Sequence, residues 1–140
     1  MNYIQSYYEL MGDLASIHHR IADARRTHDE ARKASANCRR LLDDEKGAVV
    51  IAAGGFSTLG KNEDEREFNL ACKLNGSARY VAALSGLRKA EDFEVNAKRS
   101  LEDVKTEFDS LQTQARLFGD LLKYSALVAA KPEAAGSLDL

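Results

Sequence analysis

Residues 3–52, YIQSYYELMGDLASIHHRIADARRTHDEARKASANCRRLLDDEKGAVVIA, decide the fold. Read at alternating steps of four and three, they give Tyr3, Tyr7, Leu10, Leu14, Ile17, Ile21, Ala24, His28, Ala31, Ser35, Cys38, Leu42, Glu45, Val49 and Ala52. Twelve of these fifteen are apolar or aromatic, and only His28, Ser35 and Glu45 interrupt the row. An apolar seam that returns every 3.5 residues for seven heptads specifies a coiled-coil helix, because only that period keeps one narrow stripe facing a partner. At 1.5 Å per residue such a helix is roughly 75 Å long. It needs a second helix to cover its stripe.

The same chain supplies one. From Tyr80 the same steps pass through Ala83, Leu87, Ala90, Glu94, Ala97, Leu101, Val104, Phe108, Leu111, Ala115, Phe118 and Leu122, with Glu94 alone polar. Leu84, Phe93, Val95, Leu117 and Leu121 fall outside this strict seam. A two-helix pair leaves them wet, which points to a wider bundle made by association of copies. The expected fold is therefore all-α: a long antiparallel coiled-coil helical hairpin with a short connecting helix, assembling as a homo-oligomeric bundle.

The connection, 53–62, holds Gly54, Gly55 and Gly60. Asn62 precedes Glu63, Asp64 and Glu65, so an N-cap side chain stands before three carboxylates at the positive end of a helix dipole. A short helix is expected over 63–75, closed at Asn75-Gly76, with Ser77 capping a final helix over 78–128. These elements form one domain, 1–128, followed by a flexible tail, 129–140. The β-branched run Val49-Val50-Ile51 also admits a strand over 48–53, although no second strand is there to pair with it.

Bulk composition narrows the function. The chain has 140 residues, 30% of them charged, a net charge of −2 and a single proline. That balance excludes a globally basic nucleic-acid binder while leaving room for a local basic face. Cys38 and Cys72 are far apart and form neither a disulfide framework nor a zinc motif. Glu9 and Asp13 break the first seventeen residues, which do not read as a signal peptide, and no run reaches the length of a membrane span. The expected location is the cytoplasm, with no membrane contact.

Candidates for chemistry are few. Gly55-Phe56-Ser57-Thr58-Leu59-Gly60-Lys61 matches G-x-x-x-x-G-K, a spacing used to cradle phosphates. Asn62 stands where a hydroxyl would hold magnesium, and no strand follows with a metal-binding aspartate, so a glycine-rich turn ending in a helix cap accounts for the residues. His18 and His19 are neighbours and point apart on a helix, and His28 lies in the seam. Neither cysteine has a base within reach by sequence. Tyr3, Tyr7 and Tyr8 could stack on bases, but aromatic residues at heptad spacing fit the core equally well. No catalytic residue, metal site or cofactor is expected, and the chain does not read as an enzyme.

Basic pairs recur one heptad apart: His18-His19, Arg25-Arg26, Arg32-Lys33 and Arg39-Arg40. With the seam at heptad positions a and d, the pairs occupy e and f and form a stripe over about 30 Å of helix. Such a stripe can follow a phosphate backbone. It can equally be a solvated face, or pair with charges on a neighbouring helix. The matching positions within the chain are Glu91, Lys98, Lys105 and Gln112, which are not consistently acidic; Glu102, Asp103 and Glu107 of another copy are the other candidates.

Residues 60–127 carry a recurrent layout. Gly60-Lys61-Asn62-Glu63-Asp64-Glu65-Arg66 precedes a short helix, a break of small residues, Tyr80 and a second long coil. This plan, after an N-terminal coil, resembles small bacteriophage and prophage coiled-coil proteins. In size and helical plan it is similar to phage recombination mediators of the UvsY type. The resemblance covers about half of the chain and carries over no binding residue. It implies an oligomeric, non-enzymatic accessory factor that binds single-stranded DNA or a recombinase. The residues expected to make that contact are Arg25, Arg26, Arg32, Lys33, Arg39 and Arg40. The alternative is a protein-interaction or structural module, a host-enzyme inhibitor or virion scaffold component, without nucleic-acid contact.

Overall fold

A computed structural model of the chain describes residues 3–130. They form α1 (Tyr3–Ala52), a 3₁₀ turn (Phe56–Leu59), α2 (Glu63–Asn75) and α3 (Ala78–Ala130), with no strand among the described residues. The run Val49-Val50-Ile51 is helical. What keeps it so is the pair of glycines behind it: the Gly55 amide donates to the Val50 carbonyl at 3.0 Å and the Gly54 amide to Ile51 at 2.9 Å. Gly54 sits at φ 91°. This is a Schellman closure, which a β-branched residue at the position of Gly54 would strain. Ala129 and Ala130 continue α3; the rest of the expected tail lies outside the described residues.

The chain divides into two compact units, one made of Met1–Arg25 with Ser100–Leu140 and the other of Arg26–Arg99. In unit 1, the α1 and α3 segments run antiparallel. Arg20 donates both guanidinium nitrogens to Glu107, at 2.9 and 2.8 Å, and the His18 ring leans on Phe108 at 5.0 Å. From Tyr7 to Ala24 the seam positions are buried or half-buried and every position between them is exposed. On α3, Leu101, Val104, Phe108, Leu111, Ala115, Phe118 and Leu122 are covered in the same rhythm. The register set by Arg20 and Glu107 places Ile17 across from Leu111 and Ile21 across from Phe108. Large side chains thus fill the seam of unit 1, and burying each contributes about 1.5–3 kcal/mol.

Unit 2 is built differently. Arg39 donates to Glu91 at 3.4 Å, and that register sets Ala31 across from Ala97, Ser35 across from Glu94 and Cys38 across from Ala90. Ala31, Ser35 and Ala97 are buried. Small side chains at facing positions let two helices approach more closely than leucines do. The end of this unit has its own apolar cluster, in which Leu59, Leu70 and Leu74 are buried against Val49, Val50, Ala53 and Tyr80.

The connection between α1 and α3 is fixed by side chains bonding to backbone. The Thr58 hydroxyl lies 2.6 Å from the Ala53 carbonyl, the Arg66 Nε donates to the Gly60 carbonyl at 2.9 Å, and the Asn69 amide donates to Leu59. Asn62 caps α2 by accepting the Glu65 amide at 2.8 Å, and Ser77 accepts the Tyr80 amide at 3.3 Å at the start of α3. Gly60 has an extended backbone that any residue can adopt. Its requirement is space: an added Cβ would stand 2.8 Å from the Glu65 Cγ and 3.0 Å from the Arg66 backbone nitrogen. Gly60→Ala is expected to lower stability by about 1–3 kcal/mol, as overpacking does. Urea unfolding measures it, and an unchanged midpoint would show that Glu65 swings aside without cost.

Candidate nucleic-acid interface

The phosphate-loop spacing at 55–61 does not make a phosphate site. In such a loop, backbone amides stand open toward the ligand. Here the Gly54 and Gly55 amides close α1, the Thr58 amide donates to the Gly55 carbonyl at 3.3 Å, and the Lys61 amide donates to the Glu65 carboxylate at 3.3 Å. These four amides are satisfied internally, and the Glu65 carboxylate takes the Lys61 amide that an anion would need.

The basic residues of α1 lie on the helix exterior in both units. In unit 2, Arg26, Arg32, Lys33, Arg39 and Arg40 are all exposed. Arg39 is held by Glu91, with both side chains about half exposed to water, and Arg26 is engaged within the chain. Arg32, Lys33 and Arg40 form no ion pair among the described residues. Asp29, with Arg32, Lys33 and Ala36, lines a shallow hollow on this flank. One heptad from the Arg39–Glu91 pair, the same register brings Lys98 of α3 across from Arg32. The flanking position of the partner helix, where an acid would neutralise Arg32, holds a second cation instead. The seam beneath them is built from the buried small residues Ala31 and Ala97, which lets the helices carrying these like charges pack closely. Each cation raises the demand for an anion between them.

Unit 1 repeats the motif once. Arg25 and Lys105 line one cleft together with His18, Ile21, Ala22, Phe108 and Asp109. Its opposite flank is neutralised, since the carboxylate of Glu107 meets Arg20. The hydrogen bond from Arg20 draws the Glu107 carboxyl below its ordinary range, and the same bond raises the Arg20 guanidinium. Within unit 1 one side carries a matched ion pair, while on the other Arg25 and Lys105 share a cleft with Asp109.

Sequence reasoning found the basic stripe and the non-acidic character of Lys98 and Lys105. It placed Glu91 among the matching positions but did not find that Arg39 is the residue it meets, or the packing of His18 on Phe108. His18 and His19 are exposed and His28 is half-buried in the seam. No group of three His, Cys, Asp or Glu side chains that could hold a metal ion occurs among the described residues. Cys38 is half-buried in the seam and Cys72 is exposed on α2.

In each unit the described helices pair along a heptad seam, and the basic residues of α1 lie outside it. No family model matches the chain, and no curated protein and no solved structure is similar to it. Among the described residues, no helix is long and apolar enough to cross a membrane.

Proposed function

We propose that this chain is an accessory factor without catalytic chemistry that holds single-stranded nucleic acid, DNA in the first instance, along the basic flank of unit 2. The observation that carries the reading is Lys98 standing across from Arg32 where a coiled coil would ordinarily place an acid. The anchoring groups are Arg32, Lys33, Arg40 and Lys98, with Arg26 and Arg39 at the margins.

The flank runs straight along a helix, and a phosphate backbone that can lie along it gains a cation at every heptad, about 10.5 Å apart. A single strand is flexible enough to follow that line. A duplex strand winds away from it within half a turn, so a straight flank reaches fewer of its phosphates. No aromatic side chain interleaves with these cations, so recognition is through phosphate and carries no sequence preference.

Four phosphate contacts imply a log–log salt slope of about −3 for a single strand. Fluorescence anisotropy with a labelled oligothymidylate measures it. Arg32→Glu combined with Lys98→Glu is expected to weaken binding at least ten-fold at low salt and to flatten the slope. Binding that is absent at low salt in the wild type, or indifferent to the double reversal, overturns the proposal. The flank would then be left to an acidic protein surface.

A further inference from the structure

Unit 1 exposes apolar side chains on two opposite sides of its helix pair. On α1, Ile4 and Met11 occupy e positions and Tyr8 a b position, with exposures of 58%, 43% and 70%. On α3, Leu117 and Tyr124 occupy c positions and Leu121 a g position, exposed by 59%, 67% and 51%. The Arg20–Glu107 contact joins the g positions of the two helices, so the e and b flank of α1 and the g and c flank of α3 face away from each other. They are two different surfaces rather than one patch.

The two surfaces match in charge. Moving along α1 from Tyr8, the exposed row passes His18 and reaches Arg25 after seventeen residues, about 25 Å. Moving back along α3 from Leu121, it passes Glu107, whose charge Arg20 already neutralises, and reaches the acidic Asp103 after eighteen residues, about 27 Å. One flank reads apolar then basic, and the other reads apolar then acidic. Because the two helices are antiparallel, both sequences start from the same end of the unit. They also match in relief. The α3 positions beside Met11 and Ile4 are Gly119 and Ala126, and nothing stands within 4 Å of where a Gly119 side chain would be. The α1 flank is therefore hollowed where the α3 flank carries Leu117, Leu121 and Tyr124.

We infer that a second copy of this chain covers each flank, the α3 flank of one copy lying on the α1 flank of the next. The contact is heterologous, so it joins copies head to tail, in a closed ring or an open array according to the rotation between neighbours. Pairing a flank with itself is disfavoured, since it would set Arg25 against Arg25 or Asp103 against Asp103.

The test is sedimentation equilibrium of the full chain without nucleic acid, which keeps it independent of the proposed DNA contact. The wild type is expected as a multiple of 15.4 kDa. Tyr8→Glu and Leu121→Glu should each yield the 15.4 kDa monomer with an unchanged helical circular dichroism spectrum, because each removes one half of the same joint. Arg25→Asp and Asp103→Arg should each weaken association at least ten-fold, and mixing the two variants should restore it. A wild type that stays monomeric at hundreds of micromolar overturns the inference. So does an assembly that survives Tyr8→Glu but not Leu121→Glu, which would mean α3 flanks pairing with each other.

Discussion

Ile17→Asp is expected to remove amide protection from residues 3–25 and 100–130 while residues 26–99 keep theirs. Ile17 is wholly enclosed, with 0% of its surface exposed, and it faces Leu111 at the middle of the large-residue seam of unit 1. Truncating such a side chain to alanine costs about 2–5 kcal/mol through lost burial and the cavity left behind. An aspartate adds the cost of an unpaired carboxylate, which must either lose its charge or open the helix pair to water. Against a total stability of about 5–15 kcal/mol for a domain, that suffices to separate the two segments. Unit 2 does not depend on this layer. Its seam is covered separately, and its end is closed by the cluster of Leu59, Leu70 and Leu74. Hydrogen exchange with mass spectrometry reads both units at once. Equal loss of protection in 26–99 would show that the units fold as one cooperative body, and retention throughout would show that Ile17 is not the keystone its burial implies.

The seam was legible from the sequence because a coiled coil states its contacts in the spacing of its residues. Every position from Tyr7 to Val49 that the seven-residue step selected is covered, and so is every one from Tyr80 to Leu122. The caps at Asn62 and Ser77 were legible for a similar reason: one side chain and one nearby amide decide each. What the sequence withheld depends on distances between segments remote in the chain. The 3₁₀ turn at Phe56–Leu59 is fixed by Thr58 reaching back to Ala53 and by Asn69 reaching back to Leu59, and neither contact has a spacing rule. The basic row of α1 and the lysines of α3 were each visible, but that Lys98 faces Arg32 follows only from the register of Arg39 on Glu91. The strand reading of 48–53 failed because β-propensity reflects packing against a sheet, and the described residues build none.

Ala31→Leu is expected to destabilise unit 2 and weaken DNA binding together, although it adds an apolar group at a seam position and changes no charge. Leucine is the usual occupant of such a position, so a count of buried carbon predicts a gain. The geometry predicts a loss. Ala31 is fully enclosed, with 0% exposure, and faces Ala97, itself buried, with the Ser35–Glu94 and Cys38–Ala90 layers following. A leucine has no room unless the helices part, and forced overpacking costs about 1–3 kcal/mol. If they part, the layer that opens is the one under Arg32 and Lys98, and the two cations separate. The oligothymidylate affinity should then fall several-fold while the salt slope, which counts contacts, falls by less than one. Ala34→Leu, at an exposed position of the same helix turn, is the control and should alter neither property. A melting temperature that rises in Ala31→Leu would mean that the small-residue seam is underpacked rather than close. An affinity that stays constant while stability falls would mean that the spacing of Arg32 and Lys98 does not set the strength of the anion contact.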